Sequence, residues 1–481
     1  MKKFLEIIKN KWLIKGTTTL LLVLIVIGVY VALNFLVEKV NVDDLDFTEN
    51  KLYTLSDESK TKLKELDDNV TITLINMQDY STITNYIEKY KNVSDKIKIE
   101  KVEDLSSRID LKTKYNISDT DELIVVSCGD REKTLTTSDL YTYDYTSYKQ
   151  IDLTEEKVTN AIVEVSLDKK PLIYIYSGKT YYNTKEVLST VISKLEDEAN
   201  DIQYLDILTK GEVPEDCDCL VITTLKEDMT EFERDKIIEY IQRGGKILLL
   251  TSQNIIKEDT PNFDQVLAQY GVKINLGAIY EQDSSKMLSS YPEFPISTVN
   301  ASFMDNINMD LKLCVVDAGN IEFEDEETLE NLGVEYEAIA ETSNKAFVRT
   351  DFTISSYTRT SSDSEQGTFV VGADVTKTID ENIKSELIVY SSEFAASDMT
   401  VPVGGYYVYA VGLYNNQDII LNSVAHLTER NDTITIRKNN ETENYTVTEQ
   451  EDNIIRIIIF TVPVIIIVIG IVVMIVRKRR R

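Results

Sequence analysis

A chain of 481 residues at ~100–200 residues per domain holds two to four domains, and 43% apolar with 27% charged residues suits a chain that folds. Fifty-one Lys and Arg against 81 Asp and Glu leave a net charge of −30, which argues against a nucleic-acid backbone as partner. Four Cys and one His are too few for a His/Cys metal centre and too sparse for a disulfide-stapled scaffold.

The charge is unevenly placed. Residues 1–16 carry Lys2, Lys3, Lys9, Lys11 and Lys15 against Glu6, and residues 477–481 are all Arg or Lys. Each basic end abuts an uncharged apolar run, Thr17 to Val37 and Ile457 to Val476. At ~1.5 Å per residue each run spans ~30 Å, the hydrocarbon thickness of a bilayer. A cleaved signal peptide is the alternative for the first run. Such regions run ~7–15 apolar residues, and Asn34 to Val40 offers no Ala-x-Ala cleavage site. A buried core helix is the alternative for the second, but core helices rarely carry so little polarity. Pro463 and Gly470 inside it are tolerated in spanning helices. Basic flanks stay on the cytoplasmic side. The expectation is a two-pass cell-membrane protein with cytoplasmic residues 1–16 and 477–481, spans at 17–37 and 454–476, and an acidic extracytoplasmic block over about 38–455. Two spans cannot form a transport pore. No G-x-x-x-x-G-K-[ST] phosphate loop supplies a motor.

In chain order, Val70 to Asn76 reads as a strand, Tyr80 to Val93 as a helix and Lys96 to Val102 as a strand. Leu111 to Tyr115 suits a short helix, and Glu122 to Ser127 an apolar strand turning at Gly129-Asp130 into Glu132 to Thr136. This β-α-β-α-β-β order predicts a thioredoxin-like α/β domain over 38–150. Asn76-Met77-Gln78-Asp79 stands where a redox Cys-x-x-Cys belongs, so thiol chemistry is not expected, and Cys128 reads as a small apolar residue. The Tyr-dense Tyr141 to Tyr148 reads as a connecting loop, with a sugar-stacking platform as the alternative. Glu155 to Leu167 is a helix.

From Pro171, apolar strands alternate with amphipathic helices. The strands are Leu172–Tyr176, Ile202–Leu208, Cys219–Thr224 and Lys246–Thr251; the helices are Thr184–Glu198 and Thr230–Gln242. The second helix opens on a Thr230/Glu233 capping box and stops at Gly244-Gly245. The pattern predicts a doubly wound parallel sheet over 151–453, with ligands at strand carboxyl ends: Ser177-Gly178, Thr223-Thr224 and Thr251-Ser252. Beyond residue 275 the alternation fades. Strand-like pieces return at Leu311–Val316, Thr368–Val375 and Glu386–Ser391, Leu421–Leu427 reads as helical, and Asp432–Arg437 with Tyr445–Val447 as a last strand or hairpin. Residues 276–430 are expected to be insertions plus closing elements.

No catalytic, cofactor-binding or metal residue is assigned. Ile175-Tyr176-Ser177-Gly178-Lys179 lacks the first Gly of a nucleophile elbow, and His426 lies ~250 residues from Ser177 in an apolar helix. Cys217 and Cys219 flank Asp218 and read as reduced or inert thiols, since a disulfide between them would be strained. Glu196-Asp197-Glu198 and Glu324 to Glu327 have oxygen ligands but no calcium-loop spacing, and read as solvated surface. A membrane-tethered hydrolase or redox enzyme lacks visible nucleophile, base and ligands.

Several stretches resemble a known family. Phe47 to Ser56 resembles the D-L-T-x-x-K-x-Y-T-L-S opening of the gliding-motility-associated auxiliary component of ABC-2-type transporters. Val158-Thr159-Asn160-Ala161-Ile162, Lys170-Pro171 and the strand ending in Gly178 resemble its entry to a central domain. Asp218 to Thr224, Thr230 to Glu233 and Tyr240 to Lys246 are similar to its D-x-L-V-I, L-S-x-x-E and Y-L-x-x-G-G-K stretches, and Leu267 to Asn275 to its L-x-x-Y-G-I-x-L-N. Leu387 to Phe394 and Leu421 to Arg437 resemble its closing stretches. Two positions depart: Gly178-Lys179-Thr180-Tyr181 replaces Gly-His-Gly-Glu, and His426 replaces a Trp. The resemblance implies a non-catalytic subunit that engages substrate or couples to an ABC-2-type permease and a separate cytoplasmic ATPase. It also implies a central domain related in fold to class I amidotransferases without their active site. A stand-alone envelope sensor or glycan-binding module, with a cell-wall ligand, is the alternative.

Overall fold

The computed structural model describes residues 54–144, 149–252, 259–304 and 311–430. Both predicted spans, the basic ends and the predicted hairpin at 432–447 lie outside them. Among the described residues no helix is long and apolar enough to cross a membrane.

Leu55 is buried, and Ser56 caps helix α1 (Asp57–Lys64) by accepting from the Ser59 amide. Strands β1 (Val70–Ile75), β2 (Ile97–Val102), β3 (Leu123–Cys128) and β4 (Arg131–Leu135) form a sheet in the order β2-β1-β3-β4. β2 runs parallel to β1, and β3 and β4 are antiparallel to their neighbours. The predicted helix over 80–93 is broken into α2 (Ser81–Ile87) and α3 (Tyr90–Val93). The Lys89 amide bonds the Tyr86 carbonyl, tightening the turn, and Tyr90 beyond it is fully buried with its hydroxyl 2.8 Å from Thr159 Oγ1. A buried tertiary hydrogen bond thus overrides helix continuity. Helix α4 (Ile109–Tyr115) precedes β3. The Tyr-dense stretch, expected to be a loop, is in its first half strand β5 (Tyr141–Asp144), paired antiparallel with β6 (Lys149–Asp152); its remainder lies outside the described residues. Helix α5 (Thr154–Ser166) packs on β3 and β4 and carries Val158, Ala161 and Ile162 into the core.

Two stretches quoted above for their family resemblance meet here. Glu155 Oε1 accepts from the Ser56 amide and from Ser59 Oγ, both at 2.6 Å, and Ser59 Oγ lies 3.3 Å from Thr159 Oγ1.

The second sheet has nine strands. β7 (Leu172–Tyr176), β8 (Asp201–Leu205), β9 (Cys219–Thr223), β10 (Lys246–Leu250) and β19 (Lys384–Tyr390) are parallel, in the order β8-β7-β9-β10-β19. The order then continues through antiparallel β18 (Val370–Thr378), β15 (Asn320–Phe323) and β11 (Val272–Asn275), with β16 (Val334–Glu341) also on β18. The strands read as a parallel set, β7 to β10, are parallel; the strands added beyond residue 270 bring the antiparallel pairs that make the whole sheet mixed. β18 and β19 are joined by a short turn at residues 379–383, and a connection that short permits only antiparallel pairing.

Alternate residues of each central strand enter opposite cores. Ile173, Ile175, Val221, Leu248 and Ile388 pack with Val191 and Leu195 of α7 (Ser189–Asp197) and Ile419 to Leu427 of α12 (Asn416–Leu427). Tyr174, Tyr176, Leu220, Leu249 and Val389 pack with Ile237 and Tyr240 of α9 (Glu231–Gln242) and Phe263 and Val266 of α10 (Pro261–Leu267). That is why these strands read as continuous apolar runs. The predicted helix over 184–198 breaks at Leu188 into α6 (Thr184–Val187) and α7, and the end of the predicted 202–208 strand is instead α8 (Ile207–Lys210). α9 keeps the predicted capping box, Thr230 with Glu233. Gly244 has φ +90°, and a Cβ at Gly245 would sit 2.4 Å from the Tyr240 ring, so both glycines are required at this stop.

The 276–430 region is more ordered than its sequence suggests. It supplies β15, β16, β18 and β19, helix α11 (Glu326–Leu332) and three two-stranded ribbons. These are β12 (Ala278–Tyr280) with β17 (Phe347–Arg349), β13 (Ile296–Thr298) with β14 (Lys312–Cys314), and β20 (Thr400–Val403) with β21 (Tyr406–Tyr409). Lys157–Asp197 at 2.5 Å and Lys194–Glu156 at 2.8 Å tie α5 to α7.

Candidate functional site

In a sheet of parallel strands the carboxyl ends are the place for a ligand. Three of these ends are closed into a ring of hydrogen bonds. The Thr224 amide donates to Glu393 Oε2 at 3.1 Å, the Glu393 amide to Ser252 Oγ at 2.9 Å, and the Ser252 amide to Thr224 Oγ1 at 2.8 Å. Thr224, Ser252 and Glu393 are all buried. Thr224 and Ser252, singled out from strand position, are therefore joined, and Glu393, which sequence reasoning did not single out, joins them. Ser177 is not part of the ring: its amide bonds the Leu205 carbonyl, and Gly178 follows against Tyr176 and Glu233. Thr223 and Thr251 end their strands fully buried.

Glu393 is unlike a structural carboxylate. Its Oε1 is buried without a hydrogen-bond partner among the described residues. Burial pushes its carboxyl up to about 7, against the hydrogen bond from Thr224. Asp317 is held above the usual carboxylate range by burial and by Glu293. Its backbone is left-handed at φ +52°, uncommon for a residue with a side chain. The 315–317 segment is clamped by Ser392, whose hydroxyl donates to the Val316 carbonyl at 2.7 Å and accepts from the Val316 amide at 3.1 Å. Burial and then the charges of Tyr181, Glu393 and Asp317 raise the Tyr182 phenol. No local pattern announces Asp317 or Glu393; the groups that hold them, Ser392 beside the 315–317 segment and Thr224 and Ser252 at Glu393, lie far away in sequence.

The mouth of the strand ends is roofed. Phe394, Val401, Ala410 and Leu413 form a small core with Cys314 and Val316, on which Tyr182, Val403 and Val408 pack. The β20–β21 ribbon over this core turns at Gly404 and Gly405, both at positive φ. On β21, Tyr406 and Tyr407 are 74% and 76% exposed, and Tyr409 is also exposed. Tyr181 and Tyr414 are exposed as well. A Gly-Gly turn flanked by Val and Tyr is a hairpin signal that the sequence carries and that the reading above missed.

The remaining candidates are placed as follows. Cys128, Cys217, Cys219 and Cys314 are free and buried. Burial pushes Cys217 and Cys314 up to about 12 and Cys219 upward, which disfavours the reactive thiolate. His426 Nε2 lies 2.7 Å from Glu386 Oε1, its ring stacked on Phe303 with centroids 4.4 Å apart. Asp374 completes the group among the described residues whose atoms lie close enough together to hold a metal ion.

The sequence model of a family described as an ABC-type uncharacterized transport system matches residues 170–423, the span from just before β7 into α12. The chain belongs to that family. It is an auxiliary component of an ABC transport system. No curated protein matches it. Among solved structures it is similar to the N-terminal domain of mmIFT52 at 15% identity, covering 53% of this chain and 97% of that one with a TM-score of 0.38. It is also similar to a ThuA-like protein from Bacteroides uniformis at 11% identity, covering 54% and 93% with a TM-score of 0.33. A second ThuA-like protein, from Parabacteroides merdae, is 12% identical, with coverage of 55% and 91% and a TM-score of 0.29.

Proposed function

We propose that this auxiliary component is a non-catalytic, two-pass membrane subunit of an ABC-2-type system of the gliding-motility-associated kind, working with a permease and a separate cytoplasmic ATPase. Its spans are 17–37 and 454–476, its basic ends 1–16 and 477–481 are cytoplasmic, and residues 38–455 lie outside. The outer block comprises a thioredoxin-like domain over 38–150 and an amidotransferase-like domain over 151–453. The order β2-β1-β3-β4 supports the first label, and the parallel strands with helices on both faces support the second.

The family match over the large sheet carries the transport reading. The strand ends support a binding or coupling role. Ser177, just past the first parallel strand, has its amide bonded to the Leu205 carbonyl, and the outward surface is a tyrosine-bearing ribbon suited to contact. The test is affinity purification of the full chain from native membranes in mild detergent. Co-recovery of a multi-span permease and an ATPase is expected; recovery of the chain alone in several detergents would sink the proposal. Substituting Tyr406 and Tyr407 with Ser should lower that co-recovery without changing the melting temperature.

The exposed tyrosines also support a second reading, a glycan-binding module. Retention of the full chain on cell-wall glycan, lost on the same Tyr substitutions and with no transporter partner recovered, would favour it.

A further inference from the structure

Asp374 on β18 and Glu386 on β19 are near each other because the strands pair antiparallel, with Asp374 opposite Ile388 and Glu386 opposite Thr376. Residues two apart on a strand share a face, so both carboxylates lie on one side, and α12 lays His426 over them. His426 Nε2 is 2.7 Å from Glu386 Oε1 and 3.8 Å from Asp374 Oδ2. The three ligand atoms lie within 4.8 Å of one another. Asp374 Oδ1 is buried and makes no hydrogen bond among the described residues. The His426 side chain is 27% exposed, which leaves an approach from solvent.

We propose that Asp374, Glu386 and His426 form a binding site for one divalent transition cation. One imidazole with two carboxylates is a borderline donor set that suits Zn²⁺ or Mn²⁺ better than Ca²⁺, which takes an all-oxygen shell. The surrounding groups complete the argument. Lys246 Nζ holds Glu386 Oε2 at 3.0 Å, which fixes that carboxylate and leaves Oε1 turned toward His426. The same ammonium opposes a cation, so it tunes affinity downward. Glu337, directly opposite Asp374 on β16, adds negative charge, and its Oε2 accepts from Ser302. Phe303 fixes the plane of the imidazole. Burial and the neighbouring Glu386 raise Asp374 above the ordinary carboxylate range. Glu386 itself is lowered: burial pushes it up, but His426 and Lys246 outweigh that. His426 is raised, its burial outweighed by the two carboxylates. A cation competes with protons for carboxylate and imidazole donors, so affinity rises with pH as it does for metal sites in general. The sequence hides this site because it looks for His and Cys pairs; here one His meets carboxylates 40 and 52 residues away.

The test uses the full chain in detergent with an affinity tag free of histidine, stripped of metal and titrated with Zn²⁺ and with Mn²⁺. About one equivalent of either ion is expected to bind, more tightly at pH 8 than at pH 6. The chain has one histidine, so a sample labelled in His shows one imidazole spin system, whose NMR signals should shift with Zn²⁺ and broaden with paramagnetic Mn²⁺. Asp374→Asn and His426→Gln should each weaken binding by more than roughly 10–100-fold, since losing a group that only supports a ligand already costs that much. Lys246→Met should tighten it, a direction that a misfolded variant would not give. An imidazole signal unmoved by both ions, binding undiminished in Asp374→Asn, or Ca²⁺ binding in preference to both would overturn the proposal.

Discussion

Two buried carboxylates, one beside each sheet, are held in opposite ways. Glu155, beside the four-stranded sheet, uses both oxygens: Oε1 takes the Ser56 amide and the Ser59 hydroxyl, and Oε2 takes the Tyr86 hydroxyl at 2.6 Å. Glu393, at the strand ends of the nine-stranded sheet, has one donor on Oε2 and, among the described residues, none on Oε1. A fully satisfied buried acid knots distant segments together; a half-satisfied one is held near neutrality, and such groups mark functional sites more often than structural ones. The small sheet region therefore reads as scaffold, and the tyrosine-bearing ribbon above the strand ends as the surface open to a partner.

The largest expected effect comes from breaking a satisfied acid. Glu155→Ala should cost about 3–5 kcal/mol, because three donors lose a buried acceptor, and urea denaturation will show it. Arg349→Met should cost a similar amount, on the order of 3–5 kcal/mol. Arg349 and Asp363 form a two-fold hydrogen-bonded pair with both side chains fully buried, at 2.7 and 2.8 Å, and Asp363 would be left behind without its partner. A loss below ~1 kcal/mol in either would mean that water replaces the partner and that completeness is not what separates the two classes.

Glu393 should behave differently. Its carboxyl titrates at about 7 in the folded chain, above its ordinary 4.5, so it binds a proton more tightly folded than unfolded. The sign follows: its stabilising contribution is complete below the unfolded value and is lost as pH rises through about 7. The loss is on the order of 3–4 kcal/mol at ~1.4 kcal/mol per pH unit. Glu393→Gln should remove that part of the fall in urea midpoint between pH 4.5 and 8; an unchanged slope would show that Glu393 titrates as an exposed acid. Asp374, raised for the same reason, contributes a fall of the same sign that persists in this variant.

Smaller effects sharpen the contrast. Thr230→Ala removes half of the α9 capping box and should cost ~1 kcal/mol in thermal unfolding. Tyr407→Ser, on the exposed ribbon, should change stability by less than ~0.5 kcal/mol. A larger loss would make the ribbon part of the scaffold rather than a contact surface.

Much of the element order was legible. β1 and β2 carry period-two patterns, β3, β7, β9 and β10 continuous apolar runs, and α9 a capping box, signals that survive because packing agrees with them. The breaks at Glu88–Lys89 and Leu188 were not, since each is decided by partners outside its helix. The strand ends were legible as positions, through Thr224 and Ser252, but not as a ring, because its acid lies 141 residues beyond Ser252. His426 was visible as a lone histidine in an apolar helix; its two carboxylate neighbours were not.

By itself the amino-acid order determined the charge asymmetry, the α/β alternation from Leu172 to Leu250 and the absence of a phosphate-loop motif, because these are properties of neighbours along the chain. Tertiary structure alone decided which distant acids meet: Glu155 with Ser56, Glu393 with Thr224, and Asp374 and Glu386 with His426. Sheet register and helix docking set those meetings, and the free energy of burying a carboxylate depends on the donors that surround it in space, not on those beside it in sequence.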